Sequence, residues 1–244
     1  MENKKIVIFD FDGTLTPYPL PKFEILEKCG IEGEKINQFY LQVKKKAESE
    51  NKDLYLALYE TYFEIIKNAG FKLIDSNLCL GSDNISYNKG VYDFLSDLQK
   101  NNVKNYLLSS GLKVFLDKIE IADLFSEIYA TKFNYNQHGE IIGINYLMSD
   151  INKVEAIKKI ISDNSNNQKD CSNVIYIGDG LTDYYAMEYV KNNKGTTIFV
   201  YYDEESKDMK IIKEKDVVSF YMPADFSSNS ILNSYVKKLC NIND

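Results

Sequence analysis

Strands and helices alternate along the chain from residue 87 onward, and this alternation limits the possible folds more than any other feature of the sequence. Continuous apolar runs typical of buried strands are each followed by a segment with helical periodicity. The strand-like segments are NYLLSS (105–110), EIYAT (127–131), NVIYIGDG (173–180) and TTIFVYY (196–202). The helix-like segments are VYDFLSDL (91–98), LKVFLDKI (112–119) and INKVEAIKKII (151–161). Such alternation predicts a parallel, doubly wound sheet.

Two further segments complete this outline. TKFNYNQHGEIIGINY (131–146) predicts a β-hairpin whose turn contains His138, a solvated or structural residue at that place. IVIF (6–9) is a short apolar run that predicts a first strand buried on both faces. Between this strand and residue 87, apolar residues recur at helical spacing, which predicts a helical insert in an α/β core.

Composition excludes several classes of partner. The formal net charge of −7 argues against a nucleic-acid-binding protein, which would carry a basic excess. No apolar run approaches the length that spans a membrane. The four cysteines are scattered without a CxxC pair, so a zinc site or disulfide framework is not expected. We therefore expect a soluble cytoplasmic protein, present as a monomer or homodimer.

Two aspartates follow the first apolar run, where burial makes negative charge costly. Successive strand residues point to opposite faces, so Asp10 and Asp12 share a side while Phe11 points away. Two carboxylates held this close need a cation or a shared proton to relieve their repulsion. Taken alone, the segment is explained equally well by a turn that contains Asp and Gly.

Other strand ends carry polar groups too, and ligands bind beyond the carboxyl ends of strands in open parallel sheets. NYLLSSG ends in Ser109 and Ser110, which suit either a helix cap or an anion site. NVIYIGDGLTD brings Asp179 and Asp183, so four aspartates at two strand ends predict a cation site. Lys153 lies in the first turn of a predicted helix, where the helix dipole disfavours a cation. An anionic partner nearby would explain this placement, although a surface lysine is also consistent.

Together these residues resemble the four motifs of the haloacid dehalogenase superfamily of aspartate-nucleophile phosphohydrolases. The motifs occur in the family's order as DFDGTLT (10–16), LLSSG (107–111), Lys153 and GDGLTD (178–183). The helical insert resembles the cap of the phosphoserine-phosphatase-like branch. The resemblance implies a Rossmann-like, doubly wound parallel sheet core formed by residues 1–16 and 87–244, with a helical cap domain formed by residues 17–86. It also implies a magnesium requirement and hydrolysis of a small phosphorylated metabolite.

The chemistry of the residues fits this reaction. Asp10 would attack phosphorus and form an aspartyl-phosphate, and Asp12 would protonate the leaving alkoxide and then activate water. An acid at Asp12 favours an alcohol as leaving group, since a halide or ADP needs little proton donation. The expected Mg²⁺ ligands are Asp10, Asp12, Asp179 and Asp183. The expected phosphate-binding residues are Ser109, Ser110 and Lys153.

Three alternative functions stay open on the sequence. One is phosphoserine phosphatase proper. A second is cleavage of a carbon–phosphorus bond through a Schiff base on a cap lysine, for which Lys22, Lys28 and Lys35 are candidates. A third is a non-catalytic protein that binds phosphorylated metabolites, although such a protein has no need of Asp12 beside Asp10.

The absence of arginine from the sequence narrows the substrate. Phosphoserine phosphatases hold the amino acid with a cap glutamate and a cap arginine, whose planar fork grips a carboxylate at two points. The position expected for that glutamate is Pro19, and this chain has no arginine to offer. We therefore predict a small phosphomonoester other than phosphoserine, with Tyr18 and Phe23 shaping the choice.

Overall fold

The computed structural model of the protein describes residues 4–17, 22–164 and 170–242, with all their side chains except those of Lys22 and Phe23. Seven strands within these residues form one sheet. The strands are β1 Ile6–Phe9, β2 Lys104–Leu112, β3 Glu127–Tyr135, β4 Ile141–Tyr146, β5 Val174–Gly178, β6 Thr196–Tyr201 and β7 Phe220–Pro223. The α-helices are α1 Lys22–Lys28, α2 Glu34–Glu50, α3 Leu54–Asn68, α4 Asp75–Leu78, α5 Val91–Lys100, α6 Lys113–Leu116, α7 Asp150–Asn164, α8 Tyr184–Asn192, α9 Lys207–Lys213 and α10 Ile231–Leu239.

The sheet has the strand order β4-β3-β2-β1-β5-β6-β7, and every pair is parallel except the β3–β4 hairpin. The chain therefore winds outward from β1 to one edge and then returns to build the other half. This reversal places β1 between β2 and β5, at the position where open α/β sheets bind ligands beyond the strand ends.

Helices cover both faces of the sheet, as a parallel sheet with continuous apolar strands requires. On one face Val7 and Phe9 share a hydrophobic cluster with residues of α5 and α10. On the other face Ile6 and Ile8 pack with residues of α7, α8 and α9. The predicted doubly wound α/β fold is confirmed.

Helices α1–α4 follow β1 in the chain and precede α5. Helix α2 buries Phe39, Val43 and Ala47, which lie on one face at helical spacing. Asp53 caps the first turn of α3, where its Oδ1 accepts the backbone N–H groups of Tyr55 at 2.8 Å and of the next residue at 3.2 Å. The buried residues of α2 and α3 belong to the same hydrophobic cluster as Val7 and Phe9 of the sheet.

Several details differ from the sequence-based outline. The predicted helix LKVFLDKI is reduced to the four residues of α6, because β2 continues to Leu112 across a register shift against β3. The hairpin is confirmed, with the exposed His138 in its turn. Strand β7 and helices α9 and α10 extend the core beyond the segments recognised in the sequence. No helix within the described ranges has both the length and the apolar character needed to cross a bilayer.

Candidate active site

The ends of β1 and β5 meet because the two strands are in register. Phe9 lies opposite Ile177, and the next residue, Asp10, donates its backbone N–H to the carbonyl of Ile177 at 2.9 Å. Asp10 and Asp179 therefore leave neighbouring strands at the same edge of the sheet. This is the arrangement that the motifs predict.

The turn after β1 depends on glycine. Gly13 has a φ of +85°, and a Cβ atom at this position would lie 2.1 Å from Oδ2 of Asp179. Its neighbour Thr14 donates a hydrogen bond of 2.8 Å from Oγ1 to Oδ1 of Asp179. Asn88, just before α5, fixes the same turn by donating from Nδ2 to the carbonyl of Thr14 at 2.7 Å. The turn thus holds the Asp179 carboxylate close to Asp10.

Lys153 joins two of the aspartates from below. Its Nζ lies 2.7 Å from Oδ1 of Asp10 and 2.7 Å from Oδ1 of Asp183. The lysine side chain is 2% exposed, and those of the two aspartates are 9% and 0% exposed. The anionic partner that the position of Lys153 predicts is therefore a pair of buried carboxylates.

Asp183 is fully occupied by hydrogen bonds. Besides Lys153, its Oδ1 accepts the hydroxyl of Tyr176 at 2.6 Å. Its Oδ2 accepts the backbone N–H groups of Asp179 at 3.1 Å and Gly180 at 3.3 Å. We conclude that Asp183 orients the lysine and the loop that carries Asp179.

Burial and mutual repulsion shape the charges of the site. Loss of solvent raises the pKa of Asp10 to about 7, although the adjacent Lys153 acts in the opposite direction. Burial, with the negative charges of Asp10 and Asp183, also raises the pKa of Asp179 well above its usual value. Burial alone would lower the pKa of Lys153, but attraction to Asp10 and Asp183 outweighs it and raises this pKa instead. One lysine does not compensate two buried carboxylates and the partly buried carboxylate of Asp179.

This excess of negative charge fits a divalent cation. One carboxylate oxygen from each of Asp10, Asp179 and Asp183 lies within 4.8 Å of the others. Asp179 forms no ion pair with any residue that the structure describes. All the donors are oxygens, as Mg²⁺ prefers. Asp12 lies outside this group of three carboxylates, although the sequence places it among the ligands.

The serines after β2 have different environments. Ser109 is 1% exposed and its Oγ accepts the backbone N–H of Gly111 at 3.0 Å. Ser110 is partly exposed and lines the cavity above Asp10. Because β2 continues through both serines, they do not lie at the start of a long helix as the sequence suggests.

A cavity of about 940 Å³ opens above these groups. Its floor includes Asp10, Asp12, Ser110 and Asp179, and its opposite wall is formed by α2 and the start of α3. The lining residues on that wall are Tyr40, Val43, Lys44, Ala47, Glu48, Asn51, Lys52, Leu54, Tyr55 and Leu58. The remaining residues, from the core, are Gly180, Leu181, Thr182 and Asp208.

Comparison with known proteins identifies the family in which this arrangement of residues occurs. The family model described as haloacid dehalogenase-like hydrolase matches residues 7–188, which include all four motifs. The chain belongs to this family. An uncharacterized protein from Borreliella burgdorferi is 23% identical to this chain, and the alignment covers 98% of each of the two sequences.

Solved structures show the same fold for this haloacid dehalogenase-like hydrolase. A phospho-aspartyl intermediate analogue of phosphoserine phosphatase has a TM-score of 0.65 and 18% identity, over 99% of this chain and all of its own. Cytosolic 5'-nucleotidase IIIB bound to cytidine has a TM-score of 0.62 and 16% identity, over 97% of this chain and 86% of its own. The predictions of a hydrolase of this superfamily and of a phosphoserine-phosphatase-like fold are confirmed.

Sequence reasoning missed three tyrosines around the site of this hydrolase. Tyr176 supports Asp183 from β5. From α3, Tyr55 donates to Oδ1 of Asp150 at 2.9 Å, and Tyr59 donates its hydroxyl to the backbone carbonyl of Ser110. A buried tyrosine usually finds a partner for its hydroxyl. That rule marks Tyr176 as a candidate in the sequence, but it does not name the partner.

The lysines of the helical insert proposed for Schiff-base chemistry do not line the cavity where they are described. Lys28 is exposed, and Lys35 donates to the carbonyl of Gly30 at 2.9 Å at the surface. The lysines that line the cavity wall are Lys44 and Lys52. Tyr18, Pro19 and the side chains of Lys22 and Phe23, to which sequence reasoning gave roles, lie outside the described part of the structure.

Proposed function

We propose that this haloacid dehalogenase-like hydrolase is a Mg²⁺-dependent phosphatase that hydrolyses a small phosphomonoester through an aspartyl-phosphate. The observation that carries the proposal is the buried Lys153, which joins Asp10 to Asp183 directly beneath a cavity lined by Asp12 and Ser110. We also propose that residues 17–86 act as the cap over a core of residues 1–16 and 87–244. The scattered cysteines support a cytoplasmic location.

Asp10 serves as the nucleophile in this proposal. Lys153 holds its Oδ1 at 2.7 Å, which fixes the rotation of the carboxylate and leaves the group facing the cavity. Attack on phosphorus forms the Asp10–phosphorus bond and breaks the ester bond, and the electron pair of that bond leaves on the alkoxide. The phosphoserine phosphatase that shares this fold was solved as a phospho-aspartyl intermediate analogue, which is the same kind of intermediate.

Asp12 acts first as the general acid and then as the general base in this proposal. It lines the cavity beside Asp10 and lies outside the three-carboxylate cluster, so its side chain borders the space that the leaving group would occupy. Its proton passes to the departing alkoxide, and the resulting carboxylate then takes a proton from the water that attacks the aspartyl-phosphate. Phosphate leaves, and Asp10 returns to its carboxylate form.

Ser110 and Lys153 stabilise the transferring group. Ser110 lies at the cavity floor, where its hydroxyl and the backbone after it are placed for phosphoryl oxygens. The ammonium of Lys153 offsets negative charge on both the nucleophile and the phosphoryl group. Ser109 supports this loop through its hydrogen bond from Gly111.

Asp10 and Asp179 are the residues that would hold Mg²⁺, and Asp183 would orient the loop around it. The clustering of their oxygens within 4.8 Å and the high pKa values of Asp10 and Asp179 both fit a cation. When bound, Mg²⁺ supplies charge neutralisation between the carboxylates and the incoming phosphate.

Phosphate release from ethyl phosphate tests the proposal. Wild-type protein with Mg²⁺ should release phosphate, and excess chelator should stop the release. Asp10→Asn should abolish turnover but keep the fold, because the amide is isosteric with the carboxylate but not nucleophilic. Full activity of Asp10→Asn, or full activity in chelator, would contradict the proposed mechanism.

A further inference from the structure

The cap-side wall of the cavity is mainly apolar and long. Tyr40, Val43, Ala47 and Asn51 follow one stripe of α2 and its C-cap, a distance of roughly 16 Å at 1.5 Å per residue. Leu58 of α3 lies on the same wall, and like Val43 and Ala47 it is buried. A phosphoryl group and a three-carbon alcohol need only a small part of this space.

The wall offers little to a zwitterionic alcohol. Its cations are Lys44 and Lys52, and Lys52 is already held by Glu50 at 2.7 Å and Glu60 at 2.8 Å. The other charged residues of the wall, Lys44 and Glu48, are exposed to solvent, and neither supplies the planar two-donor fork that grips a carboxylate. Against the apolar remainder of the wall, an amino-acid body would lose hydration of its charged groups without a matching gain. Burial of apolar substrate surface against this wall would instead make binding more favourable, because that surface leaves water.

Leu54 extends this apolar wall to the mouth of the cavity. Leu54 is the first residue of α3 and is 52% exposed, so it lines the cavity and does not pack in the hydrophobic core. The neighbouring Tyr55 ring is held in place by its hydrogen bond to Asp150. A preformed apolar path thus leads from the aspartates outward.

We infer that the alcohol portion of the substrate is an extended, mainly apolar group that lies along α2 against Tyr40, Val43, Ala47 and Leu58. The inference rests on the proposed phosphatase activity, since it names what that activity acts on. The phosphoryl group occupies the floor at Asp10 and Ser110, and the alcohol carbon chain runs toward Leu54.

A series of primary alkyl phosphates from ethyl to hexyl tests the inference, because the leaving alcohols have nearly the same pKa. We expect kcat/KM with Mg²⁺ to rise with each added methylene, by up to about fourfold, the factor that corresponds to ~0.8 kcal/mol for a fully buried CH₂. O-phosphoserine should be a poorer substrate than hexyl phosphate. A flat or falling series, or phosphoserine as the best substrate by tenfold, would overturn the inference, whereas no release from any ester would refute the phosphatase proposal itself.

Two exposed leucines give a matched pair of variants. Leu54 lines the cavity, and Leu41, which is 58% exposed on α2, does not. Leu54→Asp should lower the ratio of kcat/KM for hexyl over ethyl phosphate at least threefold, while Leu41→Asp should leave both values unchanged. An unchanged ratio in Leu54→Asp would count against the apolar path.

Ala47→Phe supplies an independent check from the middle of the wall. The added ring fills the groove, so the preferred chain should become shorter, with hexyl phosphate losing its advantage over butyl phosphate. Should this variant fail to fold, as its melting curve would show, the comparison of Leu54→Asp with Leu41→Asp still decides the question.

Discussion

The hydroxyl of Tyr59 donates a hydrogen bond to the backbone carbonyl of Ser110, across 51 residues of chain. This bond connects α3 directly to the end of β2, which faces the proposed phosphoryl group. Thr131 donates to the same carbonyl from Oγ1 at 3.1 Å, so the oxygen has two donors. The position of Ser110 therefore depends on the inserted helices as well as on the sheet.

Tyr59→Phe removes one of these donors and keeps the ring. We expect a loss of about 1 kcal/mol in the free energy of unfolding, the usual net value of one hydrogen bond. We also expect kcat/KM to fall about threefold to tenfold, because a small misplacement of a binding group costs rate. Urea denaturation and steady-state kinetics measure both effects. Tyr92→Phe, on an exposed tyrosine, is the control and should change neither.

Asp12→Asn should affect substrates according to their leaving groups. Ethyl phosphate releases a strongly basic alkoxide, so its kcat should fall by about 10² or more, within the usual range for loss of a general acid. 4-Nitrophenyl phosphate releases a stable phenolate and should lose much less. Equal losses on the two esters would show that Asp12 is not the proton donor.

Lys153→Met should destabilise the protein strongly. The structure buries the ammonium between Asp10 and Asp183. Its removal leaves the buried carboxylates of Asp10 and Asp183 without their shared cation, and such a change costs about 3–5 kcal/mol. Lys158→Met on the same helix removes an exposed pair with Glu155 and a contact with the Tyr189 ring, and should cost less than about 1 kcal/mol. Thermal or urea unfolding at neutral pH compares the two variants.

The pH dependence of the metal-free protein should reveal Asp10. Its folded-state pKa of about 7 lies above the unfolded value of 3.8, so the folded state binds the proton more tightly. This contribution to stability is fully present at low pH and is lost as the pH rises toward 7. Asn resembles the protonated acid, so the stability of Asp10→Asn relative to the wild type should rise between about pH 4 and pH 7, the interval between the two pKa values. Melting temperatures in chelator measure the difference, and a constant gap would contradict the assignment.

The sequence predicts the floor of the site well because the ends of the strands can be recognised from it. Asp10 and Asp179 follow continuous apolar runs, and parallel pairing brings such ends together regardless of chain separation. The place of Lys153 in the first turn of α7 indicates an anionic partner, which the structure supplies as Asp10 and Asp183. In each of these cases a local pattern carries the information.

The residues of the cavity wall and their partners cannot be recognised from the sequence in the same way. Tyr55 and Tyr59 have the periodicity of ordinary core residues, and their hydroxyl partners, Asp150 and Ser110, lie far away in the chain. Likewise, nothing local shows that β2 continues past Ser110, because the register shift against β3 depends on pairing between strands. Contacts between distant segments decide these features.

Phe39 of α2 and Tyr62 of α3 belong to one hydrophobic cluster with Val7 and Phe9 of β1. An inserted unit with a hydrophobic core of its own could unfold, or be removed by proteolysis, while the sheet stayed intact. Here the two parts share their apolar interior, so neither can lose its structure without exposing the other to water. Residues 22–78 and the sheet should unfold as one cooperative unit. A destabilising substitution at a buried position of α2 should therefore lower the free energy of unfolding of the whole chain.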